Sequence, residues 1–239
     1  MSKPHAPERV QIETESRENL FIVNYPGVIK FEIRKLNLTK DIETLHEWFS
    51  SDRGHFWGLQ DKSLAEVEEI YANVLKKEGY EVFMGIQSTT GNPAFLLECY
   101  QPTKDILGSY YDAKETDRSR HLFVAPPTKK IENFTWYVFV ALLEFIFHDP
   151  LVQRTVGEPD IRNTKVLARN LQLGHEFGKV IFLPHKTAQL TYLTRDGFNQ
   201  AKQAIALPLK RHPIHPLKLK YYVLAGRIRR KLIRVLRRK

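Results

Sequence analysis

The chain has one cysteine among 239 residues, and Cys99 alone excludes an internal disulfide and every thiolate metal cluster. Its place inside the strand-like run Phe95-Leu96-Leu97-Glu98-Cys99-Tyr100 predicts core packing rather than nucleophilic chemistry. Residues 1–19 are polar and lack an apolar leader segment, so neither a secretory signal nor a spanning helix is expected there, and a cytoplasmic location follows. Repeats and low-complexity segments are missing as well. Histidines such as His175, His185, His212 and His215 lack ligand spacing, and no metal site is predicted.

Acidic residues are missing from residues 207–239, which hold 12 of the 37 Lys and Arg residues. The remaining 25 basic residues face 27 acidic ones, so the formal charge of +10 belongs to the tail and not to the fold. Pro208, Pro213 and Pro216 precede a segment in which Leu224, Ile228, Leu232, Val235 and Leu236 share a helical face. Arg227, Arg229, Arg230, Lys231, Arg234, Arg237 and Arg238 surround it. This pattern fits an anionic membrane surface, an acidic protein partner, or a solvated extension. Nucleic acid ranks behind these, because no aromatics are interleaved for stacking.

With 42% apolar content the chain has enough material for a sizeable core. Three regions are expected: a polar arm (1–19), an α/β domain (20–206) and the basic tail (207–239). Alternation predicts a hairpin over residues 20–36 with a turn at Tyr25-Pro26-Gly27. Thr39 and Asp41 are placed to cap a helix running to Phe49, and Ser63 with Glu66 forms a capping box for a second helix over 64–77, closed by Gly79. Residues 80–87 and 94–100 read as strands around Thr90-Gly91-Asn92-Pro93, and the following strand contains His121. Trp136, Phe139, Val140, Leu143 and Phe147 mark a helix over 135–148. After a strand leading to Asp160 come a helix over 164–173 stopped by Gly174, then strands over 176–183 and 188–194. The order implies a mixed sheet with helices on both faces, and a right-handed crossover from the His121 strand to the Asp160 strand makes the two parallel neighbours.

Five segments, 48–58, 105–111, 121–127, 158–163 and 186–198, together with the run Glu158-Pro159-Asp160-Ile161-Arg162-Asn163 and the strand-terminal His121, resemble the GNAT acyltransferase superfamily. Within it the similarity is to the siderophore branch, the aerobactin-type N-hydroxylysine and N-hydroxydiamine acyltransferases, over residues 31–198. The resemblance implies the GNAT fold, an acetyl- or succinyl-coenzyme A donor, and N-acylation of an N-hydroxylated lysine or diamine to a hydroxamate. Rival readings are a GNAT enzyme acting on a protein or antibiotic amine, and a non-catalytic GNAT-like assembly partner. Most members hold the coenzyme A pyrophosphate with a glycine-rich loop; here residues 127–134 contain no glycine. Helix-start amides and Lys129 and Lys130 are expected to serve instead, with Val124 and Asn163 as further coenzyme A contacts.

Acyl transfer to a hydroxylamine nitrogen requires a group that removes a proton as the bond forms, and imidazole suits the task near neutral pH. His121 is therefore the expected general base and Asp160 a second acceptor; a core histidine bonded to a buried carboxylate is the alternative. Trp48, His55, Phe56 and Trp57 form either an acceptor-pocket wall or a packed helix–loop corner, with Glu98 or His55 meeting a terminal charge and Tyr110 and Tyr111 in comparable positions. Arg162 and Asn163 are expected to anchor the loop around Asp160.

Overall fold

In the computed structural model, which describes residues 13–17, 20–126, 129–202 and 214–236, the chain divides into two units, Met1–Val152 and Gln153–Lys239. Pro208, Pro213, Arg237 and Arg238 lie outside the described residues.

The first unit is built on β1 (Glu13–Arg17), β2 (Leu20–Tyr25), β3 (Ile29–Lys35), β4 (Tyr80–Gln87), β5 (Asn92–Tyr100) and β6 (Asp117–Val124), each antiparallel to the next. β2 and β3 form the predicted hairpin, with Gly27 at φ 71° in its turn. β1 falls within the stretch read as a polar arm. All five of its side chains are exposed, so it has no apolar alternation to betray it, and its backbone ladder to β2 defines it.

Side chains alternate across a strand, and this sorts the helices. Val82, Met84, Leu96 and Phe123 face α1 (Leu38–Ser50) and α2 (Leu64–Val74), packing with Leu45, Phe49, Val67 and Tyr71. Phe83 points the other way and meets Phe145 of α3 (Phe134–His148), which also contacts Phe21 and Phe31. Ten residues of α3 are buried, in keeping with its nearly continuous apolar sequence.

The cap of α1 differs from expectation. Asn37, immediately before the helix, accepts from the Lys40 N–H, and Thr39 and Asp41 lie inside the first turn. Asp41 is buried there, taking a two-pronged ion pair from Arg34 at 2.8 and 2.7 Å and the Asn37 N–H at 2.8 Å. The Ser63–Glu66 capping box is formed in both directions, and α2 ends at Val74, before the turns that lead to Gly79 at φ 75°.

In the second unit β9 (Thr187–Thr194) lies between β7 (Arg154–Gly157) and β8 (Glu176–Phe182), antiparallel to both. α4 (Thr164–Gln172) ends before Gly174 at φ 82°, and a short α5 (Arg195–Ala201), absent from the sequence reading, is capped by Thr194. Its seven residues are too few to show a period. α6 (Pro216–Leu236) packs Leu219, Tyr222 and Val223, with Ile214, against Ile161, Leu167, Phe177 and Val180. Gly226 makes that approach possible: a Cβ there would lie 2.0 Å from the Thr187 hydroxyl oxygen, which accepts from Arg230 at 3.1 Å. Replacing Gly226 by Val is expected to cost about 1–3 kcal/mol through overpacking; urea denaturation measures it, and an unchanged midpoint contradicts the docking of α6.

Candidate active site

β5 runs apolar through Leu97 and then places a carboxylate, Glu98, in the interior. A buried charge requires partners, and the fold supplies them from three directions. The β5–β6 register sets His121 directly opposite Glu98, so both side chains share one face, and His121 Nδ1 lies 2.8 Å from Glu98 Oε2. From α2, the Tyr71 hydroxyl donates to Glu98 Oε1 at 2.7 Å, and from the loop after α1 the Trp57 indole N–H donates to the Tyr71 oxygen at 3.2 Å.

Burial alone raises the Glu98 carboxyl, but the hydrogen bonds and charge of His121, with Tyr71 and the more distant Lys77, outweigh it and hold the group below its ordinary range. Glu98 is thus ionised at neutral pH. Burial and then the Glu98 charge push the Tyr71 hydroxyl well above its ordinary value, so it keeps its proton and donates. An ionised carboxylate facing Nδ1 fixes the proton of the neutral ring on that nitrogen, and Nε2 then carries the lone pair. The His121 side chain is 37% exposed against 11% for Glu98, so the imidazole bridges the buried carboxylate and the more open part of the unit.

Aromatic rings frame the pair. Trp57 meets His121 edge-on at 6.2 Å, Tyr100 lies 5.2 Å from it, and Phe49 stacks on both Trp57 and Tyr71. The expected aromatic cluster divides accordingly. Trp48 is a core residue, 7% exposed and stacked on Phe123 at 5.3 Å, whereas Trp57 is half-buried beside His121. His55 and Phe56 are exposed and touch each other. Tyr111 donates to buried Asp117 at 2.9 Å. Glu98, expected to meet a terminal charge of the acceptor, is committed to His121 and Tyr71. Cys99 is half-buried, and desolvation pushes its thiol up to about 12, which removes it as a thiolate nucleophile.

In the second unit the loop before α4 carries Asp160. Its Oδ1 accepts from both the backbone N–H and Nε of Arg162 at 2.8 Å, and its Oδ2 accepts from the guanidinium at 2.7 Å. Burial raises this carboxyl, and the Arg162 bonds more than reverse the effect, leaving it below its ordinary value. Asn163 caps α4 by accepting from the Val166 N–H at 3.3 Å. Arg162 and Asn163 thus hold the loop.

Val124 ends β6, and Lys129 and Lys130 are exposed ahead of α3. The caps Asn37, Ser63, Asn163 and Thr194 each accept a first-turn N–H through a side chain, whereas Asn133, at φ 57°, makes no such bond to α3. The start of α3 is bonded through the backbone instead: the Phe134 N–H donates to the Ile131 carbonyl at 3.3 Å and the Trp136 N–H to the Asn133 carbonyl at 2.8 Å. Among the described residues no group of three His, Cys, Asp or Glu side chains is arranged to hold a metal ion.

Tyr71 is the member of the Glu98 network that the sequence did not single out. Its signal was a tyrosine on the inner face of an amphipathic helix, four residues after Val67, where a hydroxyl needs a polar partner.

Comparison with known proteins adds a family model, Acetyltransferase (GNAT) domain, matching residues 37–183. An N(5)-hydroxyornithine:cis-anhydromevalonyl coenzyme A-N(5)-transacylase of Beauveria bassiana is 28% identical over 66% of this chain and 35% of its own length. An N-hydroxyputrescine acetyltransferase of Acinetobacter baumannii is 26% identical over 71% of this chain and 80% of its own. The chain thus spans about a third of the length of the fungal relative. The crystal structure of the aminoglycoside acetyltransferase AAC(6')-Ib with coenzyme A superposes with a TM-score of 0.63 at 21% identity, over 72% of this chain and 99% of that one. Family model and superposition show the α/β GNAT fold, a mixed sheet with helices.

Because the folded Glu98 carboxyl lies below its unfolded value, it contributes stability fully above the ordinary carboxylate range and loses it as pH falls through the lowered value. Acid unfolding followed by circular dichroism is expected to show a shallower pH dependence in Glu98→Gln than in the wild type. Tyr71→Phe is expected to cost about 1–2 kcal/mol and to raise the Glu98 pKa, measured by carboxyl NMR; an unmoved pKa contradicts the network.

Proposed function

For this chain, which belongs to the GNAT acetyltransferase family, we propose the activity of an acyl-coenzyme A-dependent N-acyltransferase. Its acceptor is a small N-hydroxylated amine, an N-hydroxylated lysine or diamine, and its product a hydroxamate for siderophore biosynthesis. The named relatives, which act on N-hydroxyornithine and N-hydroxyputrescine, support that acceptor class. The observation that carries the reading is the Glu98–His121 pair, an imidazole whose Nδ1 lies 2.8 Å from a buried carboxylate.

Acetyl- or succinyl-coenzyme A supplies the activated carbonyl as co-substrate. Lys129, Lys130 and the start of α3 hold its pyrophosphate, with Val124 as a further contact. A hydroxylamine nitrogen is largely neutral near pH 7, so its lone pair is available and the remaining task is to take its proton. His121 does this through Nε2 and Glu98 stabilises the imidazolium that results; as the N–C bond forms the thioester C–S bond breaks, and the proton passes to the departing coenzyme A thiolate, which leaves as the thiol. In the second unit, Asp160 is proposed as a second acceptor, its carboxylate held by Arg162. Trp57 and His55 border the acceptor, the indole covering its alkyl chain. We place the reaction in the cytoplasm; among the described residues no helix is long and apolar enough to cross a membrane.

His121→Ala is expected to lower kcat by about 10²–10⁴-fold with a much smaller change in the KM for acyl-coenzyme A. Turnover within a few-fold of wild type, in a folded protein, removes the assignment. With the wild-type enzyme, N-hydroxylysine is expected to be acylated in preference to lysine; equal rates on the two amines return the chain to a general amine acetyltransferase.

A further inference from the structure

α6 carries apolar side chains on two opposite sides. Leu219, Tyr222 and Val223 are docked in the second unit, and Gly226 lies in the same contact. On the far side Leu217, Tyr221, Leu224, Ile228, Leu232 and Val235 follow one another at steps of three or four residues, which keeps them on one helical face. Each is 51–70% exposed. At 1.5 Å per residue the stripe runs for about 27 Å. Scattered apolar side chains on a surface need no explanation, but six in one line do.

Both borders of the stripe are basic. Lys220, Arg227, Lys231 and Arg234 follow one edge and Lys218 the other, where the Arg229 guanidinium lies over the Phe182 ring at 5.6 Å, and residues 207–239 contain no acidic residue. A second copy of the chain is a poor occupant, since pairing stripe with stripe sets basic borders against basic borders with no carboxylate on either helix to offset them. A spanning orientation is excluded by the same charges.

We propose that this face of α6 lies in the headgroup region of an anionic lipid bilayer, with the helix parallel to the surface. The stripe enters the acyl boundary, and the Lys and Arg stems run along its edges so that their charged ends reach the lipid phosphates. Because the inner stripe stays docked in the second unit, the whole unit is carried to the surface, and the docked face plays no part in lipid contact.

The test is sedimentation of the full chain with phosphatidylcholine vesicles and with phosphatidylcholine–phosphatidylglycerol vesicles. Two double variants that leave the docked face intact, L224E/I228E and R227E/K231E, accompany it, with melting curves to verify their fold. The wild type is expected to pellet with the anionic vesicles, weakly with neutral ones, and less as salt rises. Each variant is expected to bind about tenfold more weakly or less at an unchanged melting temperature. Equal pelleting with both vesicle types, or variants that pellet like wild type, overturns the proposal. So does light scattering that shows a dimer dissolved by L224E/I228E, which assigns the stripe to a second copy, or retention on an acidic polypeptide without vesicle binding, which assigns it to a protein partner.

Discussion

One buried carboxylate organises the first unit. Glu98 sits on a strand flanked by Leu97 and Cys99, where an unpaired ionised group costs several kcal/mol. Its compensation comes from β6 through His121 and from α2 through Tyr71, and the loop after α1 fixes Tyr71 through Trp57. The β5–β6 register, the seating of α2 and the course of that loop are therefore all constrained by the same charge. A slip of one residue in β6 sends His121 to the α3 side and leaves Glu98 facing apolar neighbours.

The same arrangement sets the electrostatic surroundings of the imidazole. Glu98 and Tyr71 hold opposite protonation states for opposite reasons: the carboxyl is kept ionised by its donors, and the phenol is kept neutral by burial and the adjacent charge. His121 stands where that polarisation meets the more exposed part of the unit. The aromatic shell of Phe49, Trp57 and Tyr100 lowers the local dielectric, which strengthens each charged contact and penalises its loss. Asp160 receives equivalent local treatment from Arg162 in the second unit.

The fold was largely legible because periodicity and turn chemistry agree along the chain. The hairpins, the Ser63–Glu66 box, the apolar run of α3 and the stop at Gly174 all appear where residue types place them. β1 escaped because an exposed edge strand has no buried face to pattern, and α5 because it is too short. Asn37 displaced Thr39 and Asp41 as the cap because Asp41 was drawn into the interior by Arg34, a pairing that no local pattern reveals. His121 stood out in the sequence, but the carboxylate that faces it within the first unit did not. Glu98 looked like a residue for substrate because the β5–β6 register, which puts the two opposite each other, depends on the length of the insertion between the strands. Trp48 and Trp57 are nine residues apart in one aromatic segment, yet one is core and the other borders the imidazole, a distinction set by tertiary packing.

The role of the Glu98–His121 pair depends on the state of one ring, and nitrogen NMR of isotope-labelled histidine reads it directly in the wild-type protein. In the neutral ring the expected result is a proton on Nδ1, with a downfield shift for a hydrogen bond to carboxylate, and a lone-pair nitrogen at Nε2. A neutral ring protonated at Nε2, or an Nδ1 signal unchanged by Glu98→Gln, contradicts it.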